Sequence, residues 1–159
     1  MTIKDTSQIK STYFDFNKLS KSAESIGSEY KGWNGLTVIK FSIPEGKILS
    51  NSFINSNYHD LHDKEKIFVV TKGRLKFISK EHKASLEEYD AVDFLSSSQD
   101  YQMDCLEDST VFMISAQDSD IFTGIPVFLN FKKDLKAKDL WGGQCISRPF
   151  EAQGLTLVL

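Results

Sequence analysis

Cysteine and proline are scarce in this sequence, with only two cysteines, Cys105 and Cys145, and three prolines in 159 residues. The cysteines form no CxxC pair, so neither a disulfide framework nor a thiolate zinc site is supported, and both read as small buried hydrophobes. A strong charge of either sign is also missing: 19 basic residues face 22 acidic ones, for a net charge of −3. Scattered lysines of this kind make no footprint for a phosphate backbone, which removes nucleic acid from the expected partners. No apolar run approaches the roughly 18 residues that cross a bilayer. The stretch from Met1 to Lys10 lacks the charged-then-apolar order of a signal peptide, so the expectation is a cytoplasmic protein without a membrane partner. Repeats, low-complexity tracts and a linker rich in Pro, Gly or Ser are absent too, and one domain is the default.

With 40% hydrophobic residues the chain can bury one sizeable core. Phe16, Leu19, Ala23 and Ile26 follow a helical spacing after Asn17, which predicts a short N-terminal helix. From Trp33 the texture changes. Leu36 to Ile43 has the β-branched and aromatic content of a strand, closed by Pro44-Glu45-Gly46. Lys66 to Thr71 and Arg74 to Ser79 read as the arms of a hairpin turning at Lys72-Gly73. Further strands are expected at His82 to Leu86, Ala91 to Leu95, Tyr101 to Cys105, Ser109 to Ser115, Pro126 to Phe131, Gln144 to Ser147 and Leu155 to Leu159. Many short strands with turns between them argue for an all-β sandwich or closed barrel.

Three successive stretches carry a resemblance. Ile43-Pro44-Glu45-Gly46 closes a strand, His59 to His62 leads into Glu65-Lys66-Ile67-Phe68-Val69-Val70-Thr71-Lys72-Gly73, and Glu88-Tyr89-Asp90-Ala91-Val92 follows. In this order they resemble the cupin superfamily, which implies an all-β cupin-type double-stranded β-helix, a jelly-roll barrel carrying a short N-terminal helix. The expected layout is an N-terminal extension over residues 1–32, a barrel over 33–125, and C-terminal strands over 126–159 that complete the barrel or pair with a partner. Trp141 to Leu159 resembles the opening of a second cupin module, as in two-cupin proteins. Its apolar strand Gly154 to Leu159 is expected to be covered in a homodimer, with closure within one subunit as the alternative.

Metal-binding cupins imply three histidines and a glutamate facing the barrel interior. Counted from Gly73, the glutamate position falls on Lys66, the histidine positions on His62 and Asp60, and the third histidine, counted from Tyr89, near Asp100. Only His62 matches in type. A lysine ammonium has no lone pair to give and repels a divalent cation, so the usual metal site is not expected and no cofactor is assigned. A one-residue slip would bring in Glu65 and His59, but alternation then turns Glu65 to the face opposite Lys66. His82 belongs to neither motif and is expected on an exposed polar turn.

The leading expectation is a small-molecule-binding domain without the usual metal, its ligand a sugar or carboxylic acid held by Asp60, Lys66, Arg74, Phe77 and Asp100. One alternative is a metal-independent sugar or small-acid isomerase or epimerase, with His62 as base, Tyr101 as acid and Lys66 steadying an enolate. Another is a divergent metal site built from Asp60, His62 and Asp100.

Overall fold

A computed structural model describes residues 8–14, 36–58, 65–94, 100–116, 127–139, 146–147, 149–151 and 156–158. The expected N-terminal helix and the residues His59, Asp60, His62 and Trp141 lie outside the described residues. The main sheet is antiparallel and eight-stranded. Its path runs through β1 (Lys10–Phe14), β2 (Leu36–Ile43), β7 (Tyr101–Ala116), β4 (Lys66–Ser79), β6 (Asp90–Phe94) and β8 (Val127–Asn130). Two more strands lie off this path, β3 (Ile48–Ser50) on β7 and β5 (Lys83–Leu86) on β4. Short pairs also form between β9 (Lys138–Asp139) and β10 (Ile146–Ser147), and between β11 (Pro149–Glu151) and β12 (Thr156–Val158).

The two long strands organise everything else. β4 and β7 pair from Lys66 with Ser115 to Ser79 with Tyr101, and the register shifts between Val70 and Leu75. On one side of that irregularity they are flanked by β2 and β6, on the other by β3 and β5. The hairpin expected at Lys72-Gly73 is therefore corrected: the residues form one continuous strand with a bulge, and the true hairpin joins β4 to β5, where Ser79 N–H donates to the His82 carbonyl at 2.8 Å. Gly73 explains the difference. Its φ of +89° suits a turn glycine, but a β-bulge uses the same conformation. A Cβ there would lie 2.6 Å from the Asp108 carbonyl oxygen, so the opposing strand approaches too closely for any other residue. The separate strands expected at Tyr101 to Cys105 and Ser109 to Ser115 fuse for the same reason, β7 running unbroken opposite the bulge.

One short helix, α1 (Asn51–Asn57), follows β3, and sequence patterning missed it. Ser50 caps it by accepting the Phe53 N–H at 3.2 Å, and Ile54 is its buried residue. Phe53 and Tyr58 meet Phe41 edge-on at 6.4 and 6.3 Å.

Buried side chains form two clusters on opposite faces of the sheet. The larger holds Ile39, Phe41, Phe68, Val70, Phe77, Tyr101, Met103 and Met113 among others, and faces the barrel interior. The smaller holds Ile67, Val69, Ala91, Leu129 and Phe131 on the outer face of β4, β6 and β8. Among the described residues no helix is long and apolar enough to cross a membrane.

Candidate functional site

Strand alternation places the charged residues at the start of β4. Lys66, Phe68 and Val70 point into the interior cluster, whereas Glu65, Ile67 and Val69 point to the outer one. Lys66 is only 3% exposed although its side chain ends in an amino group. Beside it on β7 stands Ser115, also buried, whose hydroxyl donates to the Glu65 carbonyl at 2.7 Å and ties the beginning of β4 to its neighbour.

Tyr101 enters the same interior from the start of β7. Its ring stacks on Phe77 at 6.0 Å and meets Phe68 edge-on at 5.7 Å, and Phe128 closes on Phe77 at 5.4 Å. Phe68 is the next inward residue after Lys66, so Lys66, Phe77 and Tyr101 line one interior. Complete burial pushes the Tyr101 phenol far above its ordinary range, which keeps it neutral. A phenol so disfavoured as an anion serves as a hydrogen-bonding group and is a poor donor for full proton transfer.

Two of the residues assigned to the site stand elsewhere. Arg74 is exposed beside the bulge, in an open cleft of about 440 Å³ that it shares with Gly73, Glu87, Glu88 and Glu107. The bulge turns it out of the interior that Leu75 and Phe77 enter. Asp100 is exposed just before β7, one residue from the inward Tyr101. Asp60 and His62, with His59, lie outside the described residues. At neither described position of the usual metal set, 66 or 100, does a ligating group stand buried in the interior, and Glu65 is turned to the opposite face. These positions do not fit the usual three-imidazole and carboxylate site.

On the outer face the sequence reading missed a second polar centre. Glu65 is fully buried and Asp93, on β6 opposite Ile67, is nearly so. The two carboxyl groups share a hydrogen bond. Burial first, then that hydrogen bond and the Glu65 charge, push the Asp93 carboxyl up to about 8, so at neutral pH it mostly keeps its proton. The available signal was Asp93 in the otherwise apolar strand Ala91-Val92-Asp93-Phe94. Elsewhere the turn before β6 follows the resemblance with one substitution. Tyr89 adopts φ +71°, the conformation that the glycine of that motif takes freely, and Lys132 covers its ring at 4.0 Å. Cys105 is buried as expected, and its thiol donates to the Ile43 and Glu107 carbonyls. His82, expected to be exposed, is half-buried in the β4–β5 turn.

No protein-family model and no curated protein matches the chain. Solved structures do. A putative glyoxylate-induced protein from Pseudomonas aeruginosa aligns with a TM-score of 0.63 at 8% identity, over 96% of this chain and 53% of its own. The E. coli protein Ylba gives 0.60 at 13% identity, over 96% and 54%. A cupin 2 conserved barrel domain protein from Leptotrichia buccalis gives 0.54 at 10% identity, over 96% and 56%. The chain thus spans about half the length of these proteins. Motif order, bulged long strands and these structural likenesses agree: the chain has the cupin fold, an all-β jelly-roll barrel.

Proposed function

We propose that the barrel interior binds a small anionic or hydroxylated molecule, a sugar acid or a simple carboxylic acid, without the usual cupin metal. The observation that carries this reading is Lys66, an inward-facing and buried lysine at the position where the resemblance puts an anionic metal ligand. An apolar wall with a few convergent polar groups is the usual make-up of a ligand site, and Phe68, Phe77 and Tyr101 supply that wall here. The neutral, strongly buried phenol of Tyr101 is better suited to holding a ligand than to driving a proton transfer, which supports reading the interior as a binding site.

A thermal-shift screen of sugar acids and small carboxylates tests it, with Lys66→Met as control. A compound that raises the melting temperature of the native chain and not of the variant is the expected result. Shifts that survive in Lys66→Met, or none across the screen, would count against the interior as the site.

A further inference from the structure

The register of the main sheet lines up four residues in one row across four adjacent strands. Lys10 on β1 opposes Ser42 on β2, Ser42 opposes Thr110 on β7, and Thr110 opposes Lys72 on β4. Residues directly opposite in a sheet share a face, and this face is the outer one, since Phe41, Ile43 and Val111 next to the row are buried inward. Lys72 belongs to the row only because of the bulge. Val70 points inward, so regular alternation would turn Lys72 inward as well. The register instead advances two residues on β4 against one on β7, from Val70 with Val111 to Lys72 with Thr110, and brings Lys72 outward.

These four residues line one open cleft of about 330 Å³, together with Pro44 and Asp108. Two ammonium groups thus bracket two hydroxyls over three strand spacings, about 14 Å between backbones. Both lysines are exposed and able to swing over the cleft, and the two hydroxyls between them are half-buried and fixed to the sheet. Asp108, the one carboxylate among the described residues that line the cleft, is engaged at one oxygen by the Glu45 N–H at 2.9 Å. Gln8, which also lines the cleft, holds a left-handed backbone with φ +64°, a conformation uncommon outside glycine.

We infer that this cleft is a second binding site, distinct from the barrel interior, for a small anion that carries hydroxyl groups, such as the phosphate monoester of a polyol. The lysines supply charge from both ends, while Ser42 and Thr110 donate to or accept from the ligand between them. Neither lysine could do this alone: each is a solvated surface charge, and the site consists in their pairing across the hydroxyl row. Affinity is weak and falls with salt, as it must for exposed charges.

The test is an amide-resolved NMR titration of the full chain with inorganic phosphate and, separately, glycerol phosphate. Shifts concentrated at Ser42, Thr110 and Lys72, larger for glycerol phosphate, are expected. Each of Lys10→Ala and Lys72→Ala should weaken binding by about tenfold, the loss of one charge-assisted hydrogen bond. Lys66→Met should leave it unchanged, which separates this site from the interior one. Equal shifts at the exposed surface lysines Lys132 and Lys133, binding that persists in the Lys10→Ala/Lys72→Ala double variant, or no response at millimolar ligand would each overturn the assignment. Thr110→Val, which keeps the shape of the strand, decides between bare charge and the row: retained glycerol phosphate affinity would exclude the hydroxyls and with them the proposal.

Discussion

On the inner face of β4, Lys66 precedes Phe68 and Val70; on the outer face, Glu65 precedes Ile67 and Val69. All six are buried, so one strand carries charge into two apolar environments from adjacent positions. The faces handle it differently. Outside, Glu65 meets a second carboxyl, and the pair is accommodated by leaving the proton on Asp93. Inside, Lys66 is buried on the same face as Phe68 and Val70, at the position where the cupin motif puts an anionic ligand. An acidic residue lies within one position of the expected ligand site, yet strand geometry gives it to the wrong side. A single step along a strand decides whether a charge faces the chemistry.

The bulge keeps these two faces in register with the rest of the barrel, so removing it should break the contrast most severely. Gly73→Ala forces a Cβ against the Asp108 backbone and the Ser109 side chain at a positive φ, and should cost about 3 kcal/mol. Denaturant unfolding would show it as a lower midpoint at unchanged slope. A smaller effect sharpens the outer side of the comparison. Because the Asp93 carboxyl titrates near 8 in the fold against 3.8 as a free side chain, the folded state holds a proton that the unfolded chain has released between those values. Its contribution to stability is therefore full below about 4 and declines as pH rises towards 8, by up to about 1.4 kcal/mol per pH unit between those values. Unfolding curves of the native chain minus those of Asp93→Asn should show that slope, and a flat difference would refute the shared proton. The smallest effect belongs to residues outside both buried faces. Arg74→Ala and Asp100→Ala should each change stability by under about 0.5 kcal/mol and leave interior binding intact, measured by the same melts with and without ligand.

Much of the architecture was legible where burial is one-sided. Leu36 to Ile43 alternates and lies in the structure with the same limits. Motif order led to the cupin barrel, and counting from Gly73 placed Lys66 at an inward position. The stretch Ile67-Phe68-Val69-Val70 was harder, because a strand buried on both faces shows an unbroken apolar run and periodicity then says nothing about orientation. Lys72-Gly73 matched a hairpin turn and a bulge equally well, since both need a left-handed glycine, and only the approach of β7 separates them. Arg74 was assigned inward on the assumption of a regular hairpin arm, so the same bulge undid it. The carboxyl pair was missed because its partners lie far apart in sequence and meet only through the pairing of β4 with β6. The short helix α1 is named by its Ser50 cap and the single buried Ile54, too brief a pattern for periodicity to reveal.

The continuous pairing of β4 with β7 also bears on how the chain comes together. Ser79 and Tyr101 are the partners separated by the least intervening sequence, and Lys66 with Ser115 by the most. Closing the shorter loop costs less conformational entropy, so assembly is favoured to start at the Ser79 end, with the local β4–β5 hairpin, and to zip towards Lys66. The irregular register around Gly73 lies midway along that path. Both charged residues at the start of β4 are then buried last, after the aromatic floor of Phe77 and Tyr101 has formed. A chain that folds in this order keeps Lys66 and Glu65 hydrated through most of the process and desolvates them only when their surroundings are complete.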